Sequence, residues 1–165
     1  MKKYMILMAT LLWLIIPNSI DGKKRLTYTT SVDVINSSIQ ENIEFIHVYF
    51  TALSGNLHQI IIPAGQLESA LLNGLKFDGS SVPGCSNIFD SDMHLALDIS
   101  SFFVHPKTKN QPKTARIFAS VYQNETTPYL ADPRYLLEQA IESAHAQGYE
   151  FYVGPEIEFF FARKR

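Results

Sequence analysis

The chain has 165 residues, of which 46% are hydrophobic and 12% aromatic, a globular composition that excludes the polar, charge-rich make-up of a disordered segment. Fourteen Lys and Arg against sixteen Asp and Glu leave a formal net charge of -2, with neither sign gathered into a run, so the footprint of a nucleic-acid binder is missing. The lone cysteine, Cys85, excludes a scaffold stapled by internal disulfides.

In chain order, Lys2 and Lys3 precede an apolar run from Met5 to Ile16, and Pro17 ends it. A basic start, an apolar run and a breaker are the grammar of a secretory signal peptide. The run is shorter than the ~20 residues that a membrane-spanning helix needs. Ile20 and Asp21 interrupt any small-residue cleavage site. Residues 1–25 are therefore expected to be a hydrophobic leader: a signal peptide marking export, an uncleaved leader, or residues upstream of the true start.

Ser31 to Gln40 carries Val32, Ile35 and Ile39 at helical spacing, behind a serine suited to cap the start, and predicts a short amphipathic helix. "IEFIHVYFTALSGNLHQIIIPA" gives two β-rich runs around Ser54-Gly55-Asn56, a hairpin signal. "GQLESALLNG" puts Leu67, Ala70 and Leu71 on one helix face, with Gly74 as the stop. "MHLALDI" and "ARIFASVY" predict further strands, with "SSFFVHPKTKNQPKT" as an irregular loop between them. Asp132-Pro133 then caps a helix that runs to about Gln147 and stops at Gly148. Two short strands broken by Gly154-Pro155 are expected after it.

In the second of these strands, Glu156 and Glu158 alternate with Ile157, Phe159 and Phe161, so a period of two sends both carboxylates to one face, together with Tyr152 and Phe160. Two like charges on a partly buried surface repel unless a cation lies between them. A hard divalent metal such as Mg2+ or Mn2+ answers that need with oxygen ligands. From spacing alone the simpler reading is an ordinary strand face whose glutamates meet Lys or Arg, since an E-x-E pair is common. A second acid stands in "KFDGSSVPGC": Asp78-Gly79 is good turn chemistry, with a glycine tolerant of positive φ and a carboxylate able to close the turn.

Taken together, "FDGSSVPGCSNIFDSDMHL", "ADPRYLLEQA" and "YVGPEIEFFF" resemble the glutamine synthetase family in order and approximate spacing, and "FTALSGNLHQIIIPAGQLESALLNG" is similar to the family's N-terminal domain. The resemblance covers about residues 26–161. It implies an α+β chain: a β-grasp (ubiquitin-like) domain over 26–124, followed over 125–165 by an incomplete start of the catalytic α+β domain. Family enzymes make glutamine from glutamate, ammonium and ATP through γ-glutamyl phosphate, with Mg2+ or Mn2+ neutralising phosphoryl oxygens. By the same resemblance, Glu156 and Glu158 match the two acids that contribute to two different metal sites. Asp78 matches an acid that reaches into the neighbouring subunit's site and helps bind ammonium, and Asp92 matches a residue supporting that loop. Cys85 and Ser120 depart from the family pattern, which more often has an acid in place of Ser120.

His47, His58, His94, His105 and His145 show no metal-ligand spacing, and none is assigned to metal. The triplets starting at Asn36 and Asn124 fit glycosylation acceptors, with meaning only in a eukaryotic secretory setting. The chain ends at Arg165, just after the E-x-E pair, and lacks counterparts of the family's remaining metal ligands and nucleotide cleft. The expectation is a truncated synthetase, inactive alone, that works as a homo-oligomer or with a complementing C-terminal fragment, cytoplasmic by family. The alternatives are a non-catalytic β-grasp binding or interaction module, exported or cytosolic, and a decayed gene fragment.

Overall fold

The computed structural model describes residues 3–4, 28–82 and 92–161. The expectations for most of the leader and for Cys85 lie outside the described residues. A two-residue strand, β1 (Lys3–Tyr4), precedes helix α1 (Ser31–Gln40), the hairpin β2 (Phe45–Thr51) and β3 (Leu57–Pro63), and helix α2 (Leu67–Asn73). Strands β4 (Leu75–Asp78), β5 (Asp92–Val104) and β6 (Thr114–Tyr122) follow, then helix α3 (Pro133–Ala146) and β7 (Tyr149–Glu150).

Five strands form one sheet in the order β3-β2-β6-β5-β4. Within it β2 and β6 run parallel, while the pairs β2/β3, β5/β6 and β4/β5 are antiparallel. That mixed sheet, with α1 and α2 gathered on one face, is the expected α+β β-grasp arrangement. The alternation along β2 and β6 produces it: Ile46, Val48 and Phe50 point inward beside Ala115, Ile117, Ala119 and Val121, and all are buried. Val34 of α1 and Leu67 and Ala70 of α2 close the core over Leu95 and Met93 of β5. β1 and β7 make a separate parallel pair.

Glycine places two of the turns. Gly55 has φ of +83° in the hairpin turn. Gly74 ends α2 with φ 70° and ψ -175°, a region open to glycine almost alone, and a Cβ there would lie 2.8 Å from the carbonyl oxygen of Leu95.

Several expectations need correction. The cap of α1 is Thr30, not Ser31: its hydroxyl accepts from the Asp33 amide, and the Asp33 carboxylate accepts from the Thr30 amide, a reciprocal capping box. Helix α1 buries Val34, Ser37 and Ser38, whereas Val32 and Ile39 of the expected apolar stripe are 63% and 69% exposed. Ser37 can be buried because its hydroxyl is hydrogen-bonded to that of Tyr28 at 2.9 Å. The residues Ser100–Val104, expected as loop, continue β5 beyond a register shift between Asp98 and Phe103. Ser101 makes the shift possible, since its hydroxyl donates to the Asp98 carbonyl and accepts from the Phe118 amide, replacing the interrupted ladder. The two strands expected after Gly148 reduce to Tyr149–Glu150, and 151–161 form neither helix nor strand. Alternation specifies a strand only where a neighbour accepts its hydrogen bonds, and none of the described strands lies beside this stretch.

Candidate functional site

Asp78 stands at the end of β4, where the chain leaves the sheet edge in a 3-10 turn, Gly79–Ser81. One carboxylate oxygen accepts from the Ser80 amide at 2.9 Å and the Ser80 hydroxyl at 2.6 Å, and the other accepts from the Ser81 hydroxyl at 2.7 Å. The hydroxyls of Ser80 and then Ser81 hold the Asp78 carboxyl below the usual carboxylate range. The acid closes its own turn, as the sequence suggested. Gly79 differs from expectation, because it is buried within the 3-10 turn and is not among the positive-φ glycines.

Asp92, the first residue of β5, is the cross-strand partner of Asp78. Both acids are exposed at this end of the β4/β5 pair. Its three hydrogen bonds to Ser80 and Ser81 hold the Asp78 carboxylate in one orientation.

Glu156 and Glu158 are not brought to that corner by any contact, and they lie on the exposed stretch 151–161, where Tyr152 is 77% and Phe160 100% exposed. The shared, partly buried strand face expected for them is therefore absent, for want of a neighbouring strand. Carboxylate oxygens are the right donors for Mg2+ or Mn2+. The donor set is incomplete, since no group of three or more His, Cys, Asp or Glu able to hold a metal occurs among the described residues. The histidines stay outside this corner: His47 hydrogen-bonds Gln59, His58 stacks on Phe50, and His94 is buried.

A polar junction that the sequence reading missed joins the sheet to the C-terminal segment. Asp132, buried in spite of its charge, caps α3 by accepting from the Arg134 amide and reaches the Val121 amide of β6 at 3.0 Å. Burial raises its carboxyl pKa against the lowering effect of these bonds. Arg134 donates to Asp98 at 2.8 Å and to the Ser120 hydroxyl at 3.3 Å. Ser120 thus meets the guanidinium with a neutral oxygen, and Asp98 provides the countercharge. A signal existed, for Asp98-Ile-Ser-Ser repeats the Asp78-Gly-Ser-Ser pattern, and Asp98 likewise accepts from the amide and hydroxyl of the serine two residues on.

Comparison with known proteins places both parts of the chain. Residues 42–124 match the family model described as glutamine synthetase, beta-Grasp domain, and residues 130–165 match that described as glutamine synthetase, catalytic domain. The glutamine synthetase of Methanosarcina mazei is 43% identical over 132 residues, covering 80% of this chain and 30% of the relative. That of Clostridium saccharobutylicum is 41% identical over 131 residues, with 79% and 30% covered. Among solved structures, Plasmodium falciparum glutamine synthetase superimposes with a TM-score of 0.66 at 18% identity, over 74% of this chain and 24% of that one, a likeness of fold. The chain spans about 30% of the length of the curated relatives it matches.

Proposed function

The chain belongs to the glutamine synthetase family, and on that premise we propose that it carries the β-grasp domain, residues 26–124, and the opening of the catalytic domain, 125–165, of an ATP-dependent ligase joining ammonia to glutamate. The observation that carries this reading is the Asp78 turn: an acid held ionised and oriented by Ser80 and Ser81, opposite Asp92, at a sheet edge. An oriented anion of this kind binds ammonium and favours its delivery to an acyl phosphate. As an exposed group at the sheet edge, Asp78 suits a site completed by a neighbouring subunit. Glu156 and Glu158 would supply oxygen ligands to Mg2+ or Mn2+, which when bound neutralise the transferring phosphoryl group of ATP. The remaining ligands and the nucleotide cleft would come from a complementing catalytic segment, within a homo-oligomer working where ATP is plentiful, in the cytoplasm.

The test is glutamine formation from glutamate, ammonium and ATP with Mg2+. The purified 165-residue chain is expected to show none above background, and addition of a segment carrying the rest of the catalytic domain to restore it. In the restored enzyme, Asp78→Asn should raise the KM for ammonium more than that for glutamate. Full activity of the chain alone, or an unchanged ammonium KM in the variant, overturns the assignment.

A further inference from the structure

Helix α3 is joined to the sheet at its first turn, and by polar contacts. A helix of 14 residues is ordinarily held by an apolar stripe buried against its neighbours. Here Leu136 and Leu137 are at least half exposed, and the buried Ala144 lies outside the core cluster. No residue of α3 belongs to that cluster or to the side chains packed on it. Core packing reaches Tyr129, whose amide also donates to the Val121 carbonyl, and stops before the helix begins.

Two residues make the joint, and they differ in kind. Asp132 is buried and bonds to both sides: one carboxylate oxygen accepts from the Val121 amide of β6, the other from the Arg134 amide of α3. Arg134 reaches back to the Ser120 hydroxyl and to Asp98 at 2.8 Å, in an ion pair whose side chains are 31% and 30% exposed. The Asp98 carboxylate is oriented for it, since its other oxygen accepts from the amide and hydroxyl of Ser100. Among the described residues, the remaining side-chain hydrogen bonds of the helix, Gln139 to Glu142 and Gln147 to the Ser143 carbonyl, stay within it. β7, which follows, pairs with β1 and not with the five-stranded sheet. A buried, bonded carboxylate resists opening, whereas a part-exposed ion pair stabilises weakly and is screened by salt.

We propose that α3 is a hinged arm, which pivots at Asp132, is latched to the sheet by Arg134 on Asp98 and Ser120, and undocks while the β-grasp core stays folded. β7 and the stretch carrying Glu156 and Glu158 follow α3 along the chain, so the latch governs how those acids are presented relative to Asp78. The inference goes beyond the ligase reading and does not depend on it. Freed of the sheet, a helix this short is marginal in water, so undocking opens its amides to exchange.

The test is native-state hydrogen exchange of the full chain, followed residue by residue by NMR. Amides of 140–146 are expected to exchange through an opening that leaves β2 and β6 protected, and to do so faster as salt is raised from about 0.05 to 1 M. Arg134→Gln should speed these α3 amides about three- to tenfold, leave those of Val48 and Ile117 unchanged, and abolish the salt effect. Asp98→Asn, which keeps an oxygen for Ser100, should act in the same direction. Equal protection of α3 and the central strands in the native chain overturns the arm. An α3 rate that neither salt nor folded Arg134→Gln alters overturns the latch, as does a variant that speeds α3, β2 and β6 alike, since the pair would then stabilise the fold as one unit.

Discussion

Asp78 accepts three hydrogen bonds within four residues, and the same geometry decides how it titrates. Because the folded carboxyl pKa is depressed, the group adds stability that is present above the unfolded value of about 3.9 and is lost as pH falls through the folded one. A carbon-detected NMR titration should therefore find the Asp78 midpoint below that of an unstructured Asp, and the stability gap between the native chain and Asp78→Asn should close on acidification. A midpoint at or above the peptide value would show that Ser80 and Ser81 do not hold the carboxylate in solution. Gly74 is constrained in a different way. A methyl group there meets the Leu95 carbonyl on a central strand and demands a backbone conformation costly by about 1–3 kcal/mol. Gly74→Ala should lower the denaturant midpoint accordingly, while Gly65→Ala, with open space around its Cβ position, should not. Both glycine stops and the Asp78 turn were legible in the sequence because each rests on local backbone chemistry.

At the level of elements, the hairpin, α2 and α3 were equally legible, since a hydrophobic period and a glycine or proline at the boundary agree in each. The half of β5 after Asp98 was not. Its continuation depends on Ser101 bonding to Phe118, a residue 17 positions away, which no local pattern announces. The buried face of α1 was misjudged for a related reason. Spacing identifies a helix, but a serine becomes a core residue only when a distant hydroxyl such as that of Tyr28 satisfies it. Asp132 shows the same dependence on tertiary context, and its removal tests the joint between β6 and α3. Asp132→Ala leaves the Val121 amide buried without an acceptor, at a cost of about 1–3 kcal/mol in urea denaturation, and should speed hydrogen exchange at Val121. Its pH behaviour runs opposite to that of Asp78. With the folded pKa raised by burial, the native state binds the proton more tightly, and this group's contribution declines as pH rises from about 3.9 through the folded value.

For the molecule as a whole, the most conspicuous surface is apolar. Phe151, Val153, Ile157, Phe159, Phe160 and Phe161 are all more than half exposed along the stretch that carries Glu156 and Glu158. None belongs to the core cluster. A chain ending at Glu150 should sediment as a more uniform monomer than the 165-residue chain while melting at the same temperature; a lowered melting point would mean that the stretch packs against the fold. The candidate site was legible only in pieces for a corresponding reason: Asp78 builds its own surroundings, whereas Glu156 and Glu158 lie exposed with none of the described strands paired to their stretch. The sheet's central ladder has a consequence of another kind. β2 and β6 are neighbours in space, yet Glu44 and Lys113, which bond at their adjoining ends, are 69 residues apart in sequence. The β2/β3 and β5/β6 pairs have short connections, but the seam between them closes only when the last strand arrives, and that late closure carries most of the loop entropy. On the ribosome the first hairpin must wait with one edge open until Tyr122 has cleared the exit tunnel, so the speed of synthesis across β5 and β6 sets how long that edge is available to the wrong partner.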